Sequence, residues 1–564
     1  MTADVGAGEL LGRGVSAGLV CAPVLHLVST APEAGAGAPE SSDQAATPEE
    51  RLARAVSALD AVAQDMQQRA AAAPPAAVEV LEMTAQLARD PALASAAAVH
   101  VDRGLTAEAA VELAVEEFCT QLAGLGGYLA ERVADLHDVR DRAVAHLRGV
   151  AQPSVPAPGY PFVLVARDLS PADTATLGDS EVVGILTEEG GPTSHTAILA
   201  RSLGLPAIVG CPGATALAEG ATVVLDGATG RVDVEPDEAR RDEVRRALDA
   251  PAGPAATGPG RTRDGHHVGL LANIGTVADA ERASGYDAEG VGLFRTEFLF
   301  LNRADRPGVD EQTAIYTQVL ELFAGRPVTV RTLDAGSDKP IAYLPLPRED
   351  NPALGVRGYR VAALDRSHLV DQLTALARAQ RATGARVRVM APMISTAEEA
   401  AAFAETARAA GLDEVGVMIE VPAAALRAAD LLDLVDFVSI GTNDLAQYTF
   451  AADRMVSGLG DLLDPWQPAL LDLVAAVTSA AQAAGKPVGV CGEAASDPLL
   501  AAVLTGLGVT SLSMAPPALQ AVRDQLTRLS LTMCREIAST ARSATSAVTA
   551  RRAALDLTTS AAPV

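Results

Sequence analysis

Gly190-Gly191-Pro192-Thr193-Ser194-His195-Thr196-Ala197 sets a histidine in the first turn of what its pattern predicts to be a helix. Two glycines allow a tight approach of backbone, and Thr193 or Ser194 can cap the helix. Free N–H groups and the positive dipole end favour an anion there, so a phosphoryl group on the imidazole would be stabilised as it forms. A neutral imidazole is a competent nucleophile towards phosphorus. A histidine that does no more than satisfy a helix start has the same pattern. No other histidine is expected in a helix-start anion site, and His266-His267, beside a Pro/Gly-rich joint with no ligand spacing, read as solvated.

A second set of chemistry-bearing residues recurs at the ends of apolar β-type runs. Arg295 ends GVGLFRTE, Arg331 ends VTVR, Glu420 ends EVGVMIE, Asn443-Asp444 follow DFVSIGT, and Cys491 ends PVGVC. Two arginines offer forked donors to phosphate or carboxylate, and two carboxylates offer hard oxygen ligands for Mg²⁺, which can bridge to a substrate oxyanion. The implied ligand is a small phosphorylated acid. Arg357 and Arg454, in the loops after the third and sixth runs, can add to the anion clamp. Any one of these residues alone reads as a surface ion-pair member, and Cys491 alone as a buried structural thiol. Among the others, Cys491 becomes a candidate proton donor.

The elements that must position these residues follow from periodicity. From 265 onward there are eight β-type runs, VGLLANIG, GVGLFRTE, VTVRTLD, VRVMAPM, EVGVMIEVP, DFVSIGTND, PVGVCGE and SLSMAP, most separated by helical pattern. Eight strand-then-helix units predict a (β/α)8 barrel with its site at the carboxyl ends of the strands; a doubly wound open sheet is the alternative. Residues 155–235 alternate short β runs with a helix at 194–204 and read as a compact β/α unit, which the strand-like segment 10–30 completes. Between them, 31–46 is a small, Pro-rich loop. Thr47-Pro48-Glu49-Glu50 then starts an Ala/Leu-rich region to about 149 that predicts three or four packed helices, an insertion. A charged helix over 237–249 and the joint 251–260 lead to the barrel.

Length and composition agree. The chain has 564 residues, 49% apolar and 20% charged, enough for two to four cores. No apolar stretch approaches a membrane span, and the start lacks the pattern of a signal peptide, so the cytoplasm is the expected compartment. A net charge of −27 disfavours nucleic acid and anionic membranes as partners. Five cysteines without a CxxC fit neither a disulfide framework nor a zinc knuckle. The two lysines, Lys339 and Lys486, sit in no nucleotide-binding motif.

On these residues the chain resembles bacterial enzyme I, the phosphoenolpyruvate-protein phosphotransferases of the sugar phosphotransferase system, over nearly its whole length. GGPTSHTAILARSLGLPAIVG is similar to that family's phosphohistidine segment. GVGLFRTEFLF, VRTLDAGSDK and NPALGVRGYR are similar to its anion-binding strands, GVMIEVPAAA and FVSIGTNDLAQYT to its metal-binding strands, and VGVCGEAASDP to its cysteine segment.

The resemblance implies that His195 is phosphorylated, with Thr174 of PADT hydrogen-bonded to it. It implies that Arg295, Arg331, Asn443 and Arg454 hold phosphoenolpyruvate, that Glu420 and Asp444 bind Mg²⁺ or Mn²⁺, and that Cys491 protonates the enolate carbon to release pyruvate. It further implies docking of the phosphocarrier protein HPr on the helical insert and a homodimer formed through the barrel. The expected chain is a multidomain α/β protein: strands and loop 1–46, HPr-binding insert 47–149, swivelling phosphohistidine domain 150–235, linker and hinge 236–260, phosphoenolpyruvate-binding (β/α)8 TIM barrel 261–545, and tail 546–564. The loop 31–46 and the modest apolarity of 83–91 depart from the family pattern. Two readings compete. Pyruvate/phosphoenolpyruvate-interconverting dikinases need an ATP-grasp domain that the lysine-free N-terminal region cannot supply. A non-catalytic phosphorelay scaffold has no use for an intact Arg/Glu/Asp/Cys set.

Overall fold

The computed structural model describes residues 8–16, 18–27, 46–72, 75–125, 127–150, 155–169, 173, 177, 180–190, 196–197, 200, 203–227, 229–249, 256–300, 303, 305–336, 341, 343–344, 346–347, 349–453 and 457–560. Within these, the side chains of 71–72, 75–80, 120–125, 127–134, 247–249, 457–458 and 559–560 are not described. The chain forms two compact units, Met1–Pro251 and Ala252–Val564.

In the first unit, strands β1 (Glu9–Leu11), β2 (Arg13–Ser16) and β3 (Leu19–His26) join β4 (Phe162–Ala166), β5 (Val182–Thr187), β6 (Ala207–Val209), β7 (Thr222–Asp226) and β8 (Arg231–Val234). The sheet order is β1-β8-β7-β3-β4-β5-β6-β2, so the N-terminal strands do complete the β/α unit. The central strand β4, FVLVA, is buried along its whole length because both faces are covered. Val163 and Val165 enter one apolar cluster, and Phe162, Leu164 and Ala166 the other. Gly230 (φ 76°) is required where the edge closes, since a Cβ there would sit 2.3 Å from Gly12 O.

Between β3 and β4 the described residues form five helices: α1 (Pro48–Ala72), α2 (Pro75–Ala88), α3 (Pro91–Asp102), α4 (Ala107–Leu125) and α5 (Gly127–Arg148). Three or four were expected, and caps hidden in the Ala/Leu pattern make the difference. Asp90 Oδ1 accepts from Ala92 N at 2.8 Å, ahead of Pro91, and Thr106 Oγ1 accepts from Ala109 N at 3.3 Å. These residues end one helix and start the next. The expected start at Thr47 is a capping box: Thr47 N donates to Glu50 Oε2 at 2.8 Å and Glu50 N to Thr47 Oγ1 at 3.3 Å.

The insert is tied to the β/α part by charge. Arg142 of α5, fully buried, pairs with Asp138 Oδ2 at 2.9 Å and with Asp173 Oδ1 at 2.8 Å. The helix α6 (Glu238–Asp249) closes this unit in the place expected for a charged helix.

The second unit is a closed, all-parallel barrel: β9 (Gly269–Ile274), β10 (Val291–Arg295), β11 (Val328–Arg331), β12 (Val387–Ala391), β13 (Glu414–Ile419), β14 (Phe437–Ile440), β15 (Val488–Val490) and β16 (Ser511–Met514). Pairing of β16 with β9 closes the ring and excludes the open sheet. Residues 256–260, read from sequence as part of a loose joint, are pinned to it. Ala256 N donates to Asp524 Oδ1 (3.1 Å), Gly258 N to Asp287 Oδ2 (2.6 Å) and Gly260 N to Glu289 Oε1 (2.9 Å), and the buried Arg523 Nε donates to Gly258 O (3.0 Å). Glu289 also pairs with the exposed His267 at 2.7 Å. Residues 547–560, set apart as a tail, form a helix whose Ala547, Ala550 and Ala554 are buried in the barrel's core. The loop 31–45 and most of the helix expected over 194–204 lie outside the described residues.

Removing one member of a buried ion network leaves its partners charged and unpaired, at a cost of about 3–5 kcal/mol. Arg142→Met is therefore expected to destabilise the first unit by about that amount. The single tryptophan, Trp466, lies in the barrel. A far-UV circular dichroism transition in urea that Trp466 fluorescence does not follow reports the first unit, and it should move to lower denaturant. An unmoved transition would contradict the prediction.

Candidate active site

Seven of the ten candidate residues, Arg357 among them, meet at the carboxyl end of the barrel. Arg295 and Arg331 are the last residues of β10 and β11, and Glu420 and Cys491 immediately follow β13 and β15. Asn443 and Asp444 occupy the first turn of the helix Thr442–Phe450 after β14. Parallel strands in a closed ring bring their carboxyl ends to one mouth, so residues nearly 200 positions apart in sequence become neighbours.

The centre of the mouth is the buried guanidinium of Arg331. It pairs with Glu297 Oε1 at 2.7 Å and Asp334 Oδ2 at 3.3 Å, and lies 3.9 Å from Glu420 Oε1. Burial works against its charge, but Glu297, Asp334 and Glu420 outweigh that and raise its pKa. Thr296 Oγ1 donates to Arg331 O at 2.9 Å, and the buried Gln372 donates to Thr296 Oγ1 at 3.0 Å and accepts from Leu333 N at 2.9 Å. The ends of β10 and β11 are held together by this network. Arg357, also buried, pairs with Asp444 Oδ1 at 3.1 Å and Asp334 Oδ2 at 3.5 Å, and donates to Tyr448 OH at 3.1 Å. Asn443 Oδ1 accepts from Glu493 N at 3.5 Å.

Arg295 differs from both. It makes no hydrogen bond or ion pair among the described residues, and part of its side chain reaches solvent. Desolvation by the surrounding protein, and then the positive charge of Arg331, pull its pKa below the ordinary arginine value. A guanidinium remains protonated under such conditions, so Arg295 is a cation waiting for an anion.

The carboxylates are crowded. Burial first, then the charges of Asp444 and Asp334, push Glu420 up to about 7, against the pull of Arg331 and of the Met393 N–H, which donates to Glu420 Oε2 at 2.8 Å. Met393 adopts φ 59° to make that bond. Among the described residues no three His, Cys, Asp or Glu converge on one point. Two carboxylates that repel one another in a buried site fit a divalent cation whose remaining positions are filled by water and substrate, as Mg²⁺ prefers. Cys491 is 3% exposed, and burial pushes its thiol up to about 11, so it is protonated at neutral pH.

The sequence reading passed over Glu297, Asp334 and Gln372. Glu297 lies two residues past Arg295 and Asp334 three past Arg331, so a carboxylate just beyond a strand-end arginine was the available signal. Gln372 had none: it sits mid-helix in Arg366–Thr383 and reaches the strands only in three dimensions. Three candidates, Thr174, His195 and Arg454, lie outside the described residues. At the start of His195's segment, Gly190 has φ 94°, the left-handed conformation that glycine supplies. His368 also sits in the first turn of a helix, Arg366–Thr383, but not in an open anion site. Its N-cap is Asp365, which pairs with its Nε2 at 3.4 Å, and a carboxylate already occupies that helix start.

The raised Glu420 makes stability depend on pH. The folded, metal-free protein holds this proton up to about pH 7, while the ordinary value is 4.5, so the folded state binds the extra proton between those values. Stability from this group is full below 4.5 and falls as pH rises through 7. Glu420→Gln cannot ionise. In EDTA it should raise the urea midpoint relative to wild type at pH 8 more than at pH 4.5. An equal difference at both pH values would contradict the shift.

Comparison with known proteins agrees with this geometry. Three family profiles match: "PEP-utilising enzyme, N-terminal" over residues 11–132, "PEP-utilising enzyme, mobile domain" over 159–230, and "PEP-utilising enzyme, PEP-binding domain" over 251–531. The last spans the barrel and every strand-end residue described above. A phosphoenolpyruvate-protein phosphotransferase of Streptomyces coelicolor is 51% identical over 551 residues, covering 97% of this chain and 98% of that protein. The Bacillus subtilis protein of the same name is 42% identical over 72% of this chain and 74% of its own length. A multiphosphoryl transfer protein of Rhodobacter capsulatus is 41% identical over 85% of this chain and 59% of its own. With identity at this level running through both units, the chain belongs to the PEP-utilising enzymes and, among them, to the phosphoenolpyruvate-protein phosphotransferases, enzyme I.

Proposed function

We propose that this enzyme takes the phosphoryl group of phosphoenolpyruvate onto His195, releases pyruvate, and passes the phosphoryl group to the phosphocarrier protein HPr as the first step of the sugar phosphotransferase system. The observation that carries this reading is the Arg295 guanidinium, unpaired among the described residues, beside Arg331, on the same mouth as the crowded Glu420–Asp444 pair and the protonated Cys491 thiol. A phosphate with a carboxylate, a cation and a proton source are what phosphoenolpyruvate turnover requires. The extent of identity to proteins named for that activity supports it.

In this reading Arg295, Arg331 and Arg454 bind the phosphate and carboxylate, with Asn443 as a further donor. Arg357, which already pairs with Asp444 and Asp334, orients those carboxylates. Glu420 and Asp444 hold Mg²⁺, for which Mn²⁺ can substitute; when bound, the ion neutralises charge on the substrate's oxygens. His195 attacks phosphorus, and Thr174 orients its ring. The P–O bond to the enolate breaks, and Cys491 gives its proton to the enolate carbon to make the methyl group of pyruvate. Electrons from the P–O bond return through the enolate to that C–H bond. The helical insert is the docking surface for HPr, and the pairing of Arg142 with Asp173 connects it to the segment that carries Thr174. The phosphohistidine domain swivels on residues before 256, and the barrel mediates dimerisation in the cytoplasm.

Two variants separate the roles. His195→Ala should abolish phosphoryl transfer from phosphoenolpyruvate to HPr, measured by phosphohistidine on HPr, yet bind phosphoenolpyruvate within about threefold of wild type by calorimetry. Retained transfer would overturn the assignment. Cys491→Ala should lower turnover with phosphoenolpyruvate by about 10²–10⁴, the range of a lost general acid. Phospho-HPr should still load His195 in that variant, because no carbon is protonated in that direction. Failure of loading would mean that the thiol is structural.

A further inference from the structure

Below the mouth, one side of the barrel's interior is polar. Gly292, Thr329, Ser439, Gly489, Ser511 and Ser513 line a cavity of about 20 Å³, more than the ~10–15 Å³ that one water needs. In the ladder Ser439 pairs with Gly489, and Gly489 with Ser511. A Cβ on Gly489 would lie 3.0 Å from Ser511 Oγ and 3.7 Å from Ser439 Oγ, so its absence leaves a space that touches both hydroxyls. Gly292 does the same on the other side, where a Cβ would lie 2.4 Å from Ser513 Oγ. Large apolar residues usually fill this layer of an eight-stranded barrel. Here glycines and serines leave a space on one side of the layer, beside Leu271 and Phe437, which line the same cavity.

The cavity's lining stops at Gly489 and Val490, just before Cys491 in the chain, and at its other end includes Arg388. Cys491 follows Gly489 by two residues on the same strand line, burial raises its thiol pKa while the neighbouring Ser439 hydroxyl lowers it, and Sγ–H is directed at Ile440 O at 3.6 Å. At the amino end of the strands, Arg388 lines the same cavity, lies over the Phe437 ring and pairs with the partly exposed Glu414 at 2.8 Å.

A buried thiol that has given up its proton leaves a thiolate in an apolar layer made with Leu293, Met390, Met418 and Phe437. That state is costly until a proton returns. In the proposed reaction pyruvate has just formed in the mouth above. We propose that Ser439 and water held in the Gly489 space return the proton to Cys491 from the amino end of the barrel, resetting the thiol for the next turnover. The inference rests on Cys491 acting as the proton donor. The Ser439 O–H bond breaks as the Cys491 S–H bond forms, and the serine oxygen takes a proton from the cavity water, which bulk water replenishes. One solvent proton thus enters for each methyl proton delivered. Ser439 acts through Cys491 and touches no substrate.

The test uses the full chain with Mg²⁺, phosphoenolpyruvate and saturating HPr, and the variants Ser439→Ala and Gly489→Ala. The second removes no polar group and fills only the water space. In both, the first turnover, which uses a thiol already protonated, should proceed within about twofold of wild type in a quenched-flow assay. Steady-state pyruvate release should fall about tenfold or more and acquire a solvent deuterium isotope effect larger than that of the first turnover. A wild-type steady state without that isotope effect in both variants would overturn the relay, and so would an equal loss in the first turnover, which marks a disturbed thiol. Cys491→Ala, measured alongside, separates the two claims. Normal turnover in that variant would overturn the donor reading itself, whereas a crippled Cys491→Ala beside normal Ser439→Ala and Gly489→Ala would overturn the relay alone.

Discussion

The buried guanidinium of Arg331 is the interaction on which the barrel's mouth depends. Taking one arginine out of water is tolerated only if carboxylates surround it, and they come from three places: Glu297 after β10, Asp334 after β11 itself, and Glu420 after β13. Only a closed ring brings those three to one point, so closure and charge stabilisation require one another. The same carboxylates then exceed what Arg331 and Arg357 can neutralise, and the surplus raises the pKa of Glu420. An anionic substrate would meet the opposite surplus at Arg295. The site is thus divided into a side short of cations and a side short of anions, and a divalent ion with a phosphorylated acid satisfies both.

Much of this was legible in the chain because barrel chemistry is written at strand ends. A run such as GVGLFRTE announces both its strand and the arginine that leaves it, and eight such runs specify how many strands must close. The carboxylate partners were harder to read. Glu297 and Asp334 sit where loop residues are normally solvated, and only burial under neighbouring strand ends turns them into counter-ions. Gln372 and the Met393 N–H were beyond reach, since a mid-helix glutamine and a backbone amide at φ 59° acquire meaning only from what packs against them. In the helical insert the difficulty was of another kind. An alanine-rich pattern carries helical period without boundaries, and single capping residues such as Asp90 and Thr106 decide where it breaks.

The joint between the units illustrates how a composition signal overstates its reach. Residues 251–260 are rich in Pro, Gly and Ala, yet Ala256, Gly258 and Gly260 each give their backbone N–H to an acidic side chain of the barrel. Glycine there permits close anchoring as readily as freedom. Any rigid-body motion of the first unit has to be absorbed N-terminal to these anchors.

The central claim is that the barrel mouth activates phosphoenolpyruvate for transfer to His195, and it is tested most directly by locating the phosphate. The intact chain would be incubated with phosphoenolpyruvate and Mg²⁺ at slightly alkaline pH, where phosphohistidine survives, and mapped by peptide mass spectrometry beside an assay of released pyruvate. The account predicts one phosphoryl group, on His195, formed in step with one pyruvate and lost when EDTA replaces Mg²⁺. Phosphate on another residue, or pyruvate released with no phosphate on the chain, would contradict it.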